Sequence, residues 1–305
     1  MGPLTQYSEH LGTLAALSAG IIWGFLGFFV RTANDMGIDP VQLTCLRYIF
    51  ITLVIGVYIL ISDRKGFALD RSAIAIILIM GIVGTILNSV TYLKSMTLIS
   101  LSLSSVLQYV APFFVILISA PLLHERITRT KAVAVIGAFV GCVLCTGVLT
   151  DPGSLNLWGM FLGALSGFCF SVYIVGSRML SVNGYSVSTM LFYTALICCL
   201  GLAPFCDLPG AFDLMSSSTD ALLLVLGMGA FVTLLPFVLF NYSLTKIEAG
   251  KASILTYAEP LAATVIGLIV YQEGVGIDTA TGLVLILLAL ILISRKEKTP
   301  ESSGE

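Results

Sequence analysis

The chain has 305 residues, of which 57% are hydrophobic and 10% are charged, and its formal net charge is −2. A soluble chain carries about 25% charged residues, so this composition excludes a soluble globular protein and indicates one that crosses a membrane several times. No basic tract alternates with aromatic residues, and we therefore expect no nucleic-acid partner.

Ten apolar stretches follow one another along the chain, each of roughly the 18–25 residues that a helix needs to cross a bilayer. The connections between them are short and rich in Gly, Pro, Asn and Asp, and the longest covers about 205–219. We predict an all-α integral membrane protein with ten transmembrane helices and a disordered cytoplasmic tail over 298–305. The predicted spans cover about 10–31, 41–61, 72–96, 102–122, 131–149, 157–178, 187–206, 219–245, 251–271 and 278–294.

Lysine and arginine residues concentrate on one side of the predicted spans. Twelve of the fifteen lie in alternate connections and in the C-terminal tail, whereas the opposite side holds Arg31, and Arg47 and Lys94 lie inside spans. Because basic segments stay in the cytoplasm, we expect a multi-pass protein of the cell membrane with both termini cytoplasmic. The twelve residues are Arg64, Lys65, Arg71, Arg126, Arg129, Lys131, Arg178, Lys246, Lys251, Arg295, Lys296 and Lys298.

The second half of the chain repeats the first. "SSVLQYVAPFFVILISAPLLHE" (104–125) aligns with "ASILTYAEPLAATVIGLIVYQE" (252–273) at a constant offset of 148, which pairs Glu125 with Glu273. Near the start of each half, "SAGIIWGFLGFFVR" (18–31) aligns with "LSGFCFSVYIVGSR" (165–178) at an offset of 147.

We therefore predict two repeats, 1–150 and 151–297, with five spans in each. Because five is an odd number, the second repeat enters the membrane from the other side and the two copies are inverted. Inverted repeats are typical of secondary transporters, whose substrate site lies near the midplane of the bilayer between the copies.

These motifs resemble those of the drug/metabolite transporter superfamily, in particular its ten-span EamA-type permeases. The resemblance covers nearly the whole chain and rests on "AGIIWGFLGFF" in the first span, "LSSVLQYVAPFFVILISAPLLHERIT" across the fourth and fifth, and "KASILTYAEPLAATVIGLIVYQE" in the second half. It implies a bacterial inner-membrane carrier, often an exporter of amino acids or other small metabolites. Lys94, in "TYLKSM", departs from the aromatic or small residue of many relatives.

Glu259 is an acid in the middle of the ninth span. It lies about nine residues past the start of that span, or roughly 13–14 Å deep at 1.5 Å per residue. Burial favours the neutral acid, so a proton could load from one side of the membrane and leave to the other. We interpret Glu259 as a proton-coupling or substrate-amine-binding group, with a hydrogen bond to a neighbouring helix as the alternative. Its repeat partner is Ala111.

Pro112 and Pro260 occupy equivalent positions in the two repeats. Each removes a helix hydrogen bond, and we expect a kink beside the polar groups of Gln108, Tyr109 and Tyr257. Irregular backbone at this depth is tolerated only against protein or a wet cavity. The fourth and ninth spans are therefore predicted to line a cavity, although kinks that serve only packing remain the alternative.

Further polar and aromatic residues are candidates for the same cavity. Asn88 and Tyr92 are four residues apart and share a helix face, whereas of the consecutive Asn241 and Tyr242 only one can point inward. Trp23 and its repeat partner Phe170 could stack on a substrate or serve interior packing.

Lys94 and Arg47 are the two basic residues inside spans. Lys94 either binds an anionic group, pairs with Glu259 in one conformation, or reaches the outer interface with its long side chain. For Arg47 we favour the interface or a bond to Asp35 or Asp39.

Small residues one helical turn apart predict close helix packing. They occur in "GIIWG" (20–24), "GAFVG" (137–141) and "GMFLGALSG" (159–167). The cysteines of "CVLC" (142–145) have no other soft ligand nearby, so we interpret them as packing residues rather than a metal or redox pair.

The sequence thus indicates a secondary carrier of a small organic metabolite, acting as an exporter by alternating access, with the lipid bilayer and protons as its other partners. A membrane enzyme is disfavoured because the two histidines, His10 and His124, lie at span ends and no metal cluster is evident. The alternatives are a scaffold or receptor, and an uptake carrier for an organic anion that uses Lys94. We expect no cofactor, and a monomer or homodimer. The predicted substrate-binding residues are Trp23, Asn88, Tyr92, Lys94, Gln108, Tyr109, Phe170, Asn241 and Tyr257.

Overall fold

The computed structural model describes residues 3–62, 64–146, 148, 149, 155–270, 272 and 276–295. All regular structure among these residues is helical. The predicted tail, Glu273, Lys296 and Lys298 lie outside the described residues. The α-helices are α1 (Pro3–Trp23), α2 (Leu26–Asp35), α3 (Pro40–Ser62), α4 (Arg71–Ile79), α5 (Asn88–Leu98), α6 (Leu101–Gln108), α7 (Ala111–Leu123), α8 (Arg129–Cys145), α9 (Leu157–Val182), α10 (Val187–Leu202), α11 (Leu208–Ser217), α12 (Thr219–Gly227), α13 (Leu235–Lys246), α14 (Ala249–Leu255), α15 (Ala258–Val270) and α16 (Ile277–Ser294).

Nine helical stretches of the described chain are long and apolar enough to cross a membrane. The predicted fifth span forms α8, whose 17 residues rise only about 25 Å, less than the roughly 30 Å of a bilayer core. The predicted count of ten spans therefore stays a prediction. The nine stretches are Tyr7–Ala33, Val41–Ser62, Arg71–Leu98, Leu101–Leu123, Leu157–Val182, Val187–Phe205, Thr219–Lys246, Ala249–Val270 and Ile277–Ser294.

Both halves carry the same interruptions. Residues 109–110 separate α6 from α7, and residues 256–257 separate α14 from α15. Pro112 and Pro260 stand in the first turns of the helices that follow, where a proline ring fits without removing a helix hydrogen bond. In the structure, each predicted kink is therefore a break between two separate helices.

Two π-helical segments also recur at the repeat offset. Met80–Leu87 joins α4 to α5, and Met228–Leu234 joins α12 to α13, so their first residues are 148 positions apart. A π-helical turn widens a helix locally and is frequent at functional sites. The repeat seen in the sequence is thus also a repeat of local backbone geometry.

Helix packing has the same symmetry. In the first half α1 packs against α13 and α15, and its counterpart α9 packs in the same way against α5 and α7. Two further contacts join counterparts directly, because α3 packs against α10 and α8 packs along α16. Each half therefore builds its interior largely with helices of the other half.

Two glycines allow the closest approach to the helix breaks. A Cβ atom at Gly20 would lie 3.1 Å from the carbonyl oxygen of Thr256, and one at Gly167 would lie 2.9 Å from that of Gln108. Because lipid supplies no hydrophobic drive for helix association, such small residues create the packing surface. At these two glycines, α1 and α9 contact the helix breaks directly.

The "CVLC" cysteines belong to the interface between α8 and α16. Cys142 is fully buried, and a Cβ at Gly282 would lie 2.6 Å from the carbonyl oxygen of Gly141 and 2.7 Å from the sulfur of Cys145. The two thiols therefore fill a tight helix crossing.

One end of the bundle is held closed by the buried carboxylate of Glu125. His124, with a φ of 54°, ends α7 in the left-handed conformation. The Glu125 oxygens then accept hydrogen bonds from the N–H groups of Ala249, at 2.6 Å, and Gly250, at 3.0 Å. A carboxylate at a helix N-terminus satisfies donors that the helix itself leaves free, so this contact ties α7 to α14.

Two ion pairs join further helices at the same end. Lys131 at the start of α8 bonds to Glu248, the residue before α14. Lys251 in α14 bonds to Glu9 in α1 at 2.8 Å. The short helix α14 is therefore fixed to three other helices, α1, α7 and α8, at this end.

The glycine packing gives a testable prediction. A Cβ atom at Gly24 would lie 2.6 Å from the Cβ of Ala262 and 2.9 Å from the backbone nitrogen of Ala263, whereas one at Gly27 would meet no atom within 4 Å. We expect Gly24→Ala to lower the stability of the purified protein by about 1–3 kcal/mol, the usual cost of overpacking. Thermal unfolding followed by fluorescence measures the change.

Gly27→Ala is the matched control because it adds the same methyl group on the same stretch of chain. We expect it to leave the unfolding temperature unchanged or to raise it slightly, since alanine favours helix over glycine. Equal unfolding temperatures for the two variants would contradict the packing of Gly24 against α15.

Candidate functional site

A cavity of about 410 Å³ lies between the two halves. In the first half its walls come from α1, α2, α3, α5 and both sides of the first helix break. In the second half they come from α9, the π-helical segment Met228–Leu234, α13, the second break and α15. Nine of the twelve residues predicted for the site line it. They are Trp23, Asn88, Tyr92, Gln108, Tyr109, Pro112, Phe170, Tyr257 and Glu259.

The second helix break positions Glu259 in the wall of the cavity. Its N–H donates to the carbonyl oxygen of Thr256 at 2.9 Å, which starts α15 immediately after the break. The side chain of Tyr109 lines the cavity together with the Glu259 carboxyl group. Among the described residues the ion pairs formed involve other acids, so Glu259 faces the cavity without a basic partner.

Tyr257 joins the two breaks. Its buried hydroxyl group donates a hydrogen bond to the carbonyl oxygen of Tyr109 at 2.7 Å, and the two rings lie 6.0 Å apart. The carbonyl group of the first break is thereby satisfied by a side chain of the second, which backbone at bilayer depth requires. The two breaks, which occupy equivalent positions in the sequence, therefore also contact each other directly.

Polar side chains of α5 and α6 bond to one another across the cavity wall. The Gln108 amide donates to the Asn88 carbonyl oxygen at 3.3 Å, and the hydroxyl groups of Tyr92 and Ser105 are 3.0 Å apart. These pairs hold the two helices together and still present polar atoms to the cavity. The wall can therefore bind a solute that carries hydrogen-bonding groups.

Aromatic rings form the opposite side. Trp23 packs edge-on against Phe237, with ring centroids 5.5 Å apart, and against Phe170 at 6.4 Å. Trp23 is buried yet lines the cavity, so packing and contact with a solute are compatible at this position. Phe237 lines the cavity as well and was not predicted from the sequence.

Three predicted residues lie outside the lining. Lys94 is exposed on the outer face of α5, and Pro260 is buried behind the break. Asn241 is fully buried, and its amide donates to the hydroxyl oxygen of Tyr173 and to the carbonyl oxygen of Phe237, both at 2.8 Å. Asn241 thus supports the aromatic wall from behind and does not contact the cavity.

Arg47 is a charged residue of the cavity that the sequence does not predict there. Its position in the sequence favours the interface or a bond to Asp35 or Asp39, but the Asp39 carboxylate accepts the N–H groups at the start of α3. Arg47 instead lines the cavity, with its Nε atom buried and without a hydrogen-bond partner. The available signal was the rule that a basic residue inside a span usually faces the interior.

The cavity extends to one end of the bundle only. Toward that end it is lined by Val30, Leu43, Thr97 and Leu101, and the last two side chains are exposed. No described residue from the opposite end, where Glu125 holds α14, belongs to the lining. The structure is therefore closed at the end of Glu125 and open toward the other.

Comparison with known proteins gives a family for this architecture. The model of the EamA-like transporter family matches the chain twice, over residues 10–147 and 157–295. A crystal structure of another protein superposes with a TM-score of 0.76 at 18% sequence identity, covering 92% of this chain and 95% of the other. This likeness concerns the fold alone.

Curated relatives share nearly the full length of the chain. An uncharacterized transporter of Archaeoglobus fulgidus is 27% identical over 90% of this chain and 95% of its own. The pseudopaline exporter CntI of Pseudomonas aeruginosa is 26% identical over 94% and 97%, and the S-adenosylmethionine uptake transporter of Rickettsia prowazekii is 23% identical over 93% and 95%. With the family model matched over most of its length, this multi-pass membrane protein belongs to the EamA-like transporter family.

Proposed function

We propose that the protein is a secondary-active transporter that moves a small organic solute by alternating access. The observation that carries this proposal is the cavity of about 410 Å³ between the halves, which contains the acid Glu259 and is open toward one end of the bundle only. A pocket of this size matches a small molecule. An enzyme would need convergent catalytic or metal-binding groups, and within the described residues no group of three or more metal-ligating side chains occurs.

An inverted repeat would supply the two conformations that alternating access requires. The offset of 148, the recurring breaks and π-helical segments, and the matching contacts of α1 and α9 all support two copies of one unit. With five spans in each copy, α8 included, the copies have opposite orientations. Exchanging their conformations would close the open end and open the closed one.

The distribution of basic residues supports a cytoplasmic location for the closed end. Lys131, Arg178 and Lys251 lie there. We therefore propose that both termini are cytoplasmic and that the structure is in an outward-facing state, with Glu125 closing the inner side.

Proton coupling through Glu259 is part of the proposal. Tyr109 and Tyr92 line the cavity together with this acid, and a tyrosine hydroxyl is neutral at physiological pH. Glu259 forms no ion pair with a described residue, so the carboxyl group can take up a proton when the cavity is exposed to one side and release it to the other. A solute amine can bind to the ionised form.

The named relatives move small organic solutes, in one case outward and in the other inward. They support a small organic substrate for this chain. We propose that the proton and solute gradients set the direction of transport. Anion uptake through Lys94 receives no support, because this side chain lies outside the cavity.

Glu259→Gln tests the coupling. Glutamine retains the shape of the acid and cannot titrate. We expect accumulation driven by a pH gradient to fall to the level of protein-free liposomes, whereas exchange of solute at equal pH survives. The solute is the metabolite that most raises the unfolding temperature of the purified protein, and an internal pH dye records the accompanying protons.

Asp278→Asn serves as the control, because it neutralises an exposed acid in the first turn of α16. It should behave as the wild type. An unchanged pH dependence in Glu259→Gln would show that another group carries the protons, and the absence of any solute flux in the wild type would favour a scaffold or receptor.

Cysteine labelling tests the orientation and the conformational state. In a variant without the seven native cysteines, Thr97→Cys at the open end should react with a membrane-impermeant thiol reagent in intact cells. Ile127→Cys, exposed at the closed end, should react only after the cells are permeabilised. The reverse pattern would place the termini outside and contradict the proposed topology.

A further inference from the structure

We propose that Cys45 and Cys206 are a redox-sensitive pair, which a disulfide-bearing oxidant on the outer side of the membrane joins into a disulfide bond between the two halves. Cys45 belongs to α3 in the first half, and Cys206 lies in the connection between α10 and α11 in the second. Both are free thiols in the structure. The inference rests on the proposed orientation, in which the open end of the bundle faces outward.

One turn of α3 brings the two thiols together. The sulfur atom of Cys206 lies 3.7 Å from the carbonyl oxygen of Val41, to which its thiol donates a hydrogen bond. In an α-helix that carbonyl group also accepts the N–H of Cys45, and a helical side chain leans over the turn that precedes it. The thiol of Cys45 therefore lies over the same turn that the thiol of Cys206 contacts.

Further bonds hold the connection on this turn. The side-chain amide of Gln42 donates to the carbonyl oxygen of Asp207 at 2.7 Å. Within the connection, the N–H of Cys206 donates to the carbonyl oxygen of Ala203 at 3.2 Å. A disulfide bond requires two closely spaced stretches of backbone, and these contacts supply that spacing.

The two thiols differ in their access to water. Cys45 is fully buried against α10, whereas Cys206 is partly buried at the edge of the same apolar cluster. Cys206 directly follows the candidate span Val187–Phe205, and its neighbours Phe205 and Asp207 are exposed. An oxidant in the aqueous phase can therefore reach Cys206 first.

The pair lies at the open end of the bundle. Leu43, two residues before Cys45 on α3, lines the cavity toward that end. Compartments outside the cytoplasm are oxidising, whereas cytoplasmic thiols are kept reduced. With the proposed orientation, Cys206 is therefore exposed to the oxidising side.

The reaction is a thiol–disulfide exchange in two steps. The Cys206 thiol loses its proton, and its sulfur attacks the disulfide of the oxidant, which releases one thiolate and leaves a mixed disulfide. The Cys45 thiol then loses its proton, and its sulfur displaces the second thiolate from Cys206. The pair has given up two electrons and two protons, and the disulfide of the oxidant has become two thiols.

The experiment counts thiols in the purified full-length protein. The protein is reduced, freed of reductant and incubated with oxidised glutathione, and is then denatured and treated with a maleimide reagent that adds mass to each free thiol. We expect two of the seven thiols to escape labelling after oxidation, and all seven to react again after reduction. Mass spectrometry of a non-reduced digest should show the Cys45 peptide joined to the Cys206 peptide.

The variants separate the roles of the two thiols. In Cys45→Ser the mixed disulfide has no partner to resolve it, so we expect one thiol to escape labelling and Cys206 to carry glutathione. In Cys206→Ser the buried thiol of Cys45 should stay reduced. Cys199→Ser removes another partly buried thiol of the same cluster and should form the bond as the wild type does. Size-exclusion profiles verify folding.

Two further measurements follow the bond in the membrane and in the folded protein. Cells that express the wild type are quenched with acid before alkylation, and we expect the Cys45–Cys206 bond there as well. Because a cross-link across so long a segment restricts the unfolded chain, the oxidised protein should unfold about 5 °C or more above the reduced protein. Reduced and oxidised samples of Cys206→Ser should unfold at the same temperature.

The inference is overturned if oxidised glutathione leaves all seven thiols free, if the digest joins Cys45 or Cys206 to a different cysteine, or if the protein in cells is reduced. Labelling of Thr97→Cys separates this failure from that of the proposed orientation. A reduced pair beside an externally labelled Thr97→Cys refutes the disulfide and retains the orientation. A pair that oxidises only after purification, beside a Thr97→Cys labelled only in permeabilised cells, refutes both.

Discussion

The structure depends on one constraint, that every backbone polar group at bilayer depth must be bonded inside the protein. Helical stretches break at this depth at 109–110 and at the equivalent 256–257, and neither of these breaks could face lipid. Each is satisfied from the protein interior. The Tyr257 hydroxyl bonds to the carbonyl oxygen of Tyr109, and the N–H of Glu259 bonds to that of Thr256. The cavity therefore lies where the chain has to keep its irregular backbone.

Close packing around the breaks follows from the same constraint. Gly20 and Gly167 bring an unbroken helix face onto the carbonyl groups of Thr256 and Gln108, one in each half. The two contacts are equivalent under the repeat. At one end of the bundle, Glu125 bonds the first turn of α14.

Hydropathy and the repeat offset predicted the helical membrane fold, since both depend on long segments and tolerate local errors. Sequence position also pointed to Tyr109, Tyr257 and Glu259, because prolines restrict where a helix can break. Which side chains of a helix face the cavity was harder to predict. Lys94 and Arg47 are both basic residues within apolar spans, and only packing against neighbouring helices turns one outward and the other into the cavity. The sequence predicts ten spans, whereas nine helical stretches of the described chain are long enough to cross a membrane. The difference is α8, whose apolar stretch forms a helix shorter than its sequence indicated.

The cavity is chemically asymmetric although the fold is repeated, because equivalent positions of the two halves carry different residues. Glu259 and its counterpart Ala111 both line the cavity, so one break presents an acid and the other a methyl group. Arg47 adds a positive charge from α3, whose counterpart α10 contributes no lining residue. The two halves repeat their helix breaks and π-helical segments, whereas these charged side chains are not repeated. The cavity therefore carries its charges at positions that the repeat does not duplicate.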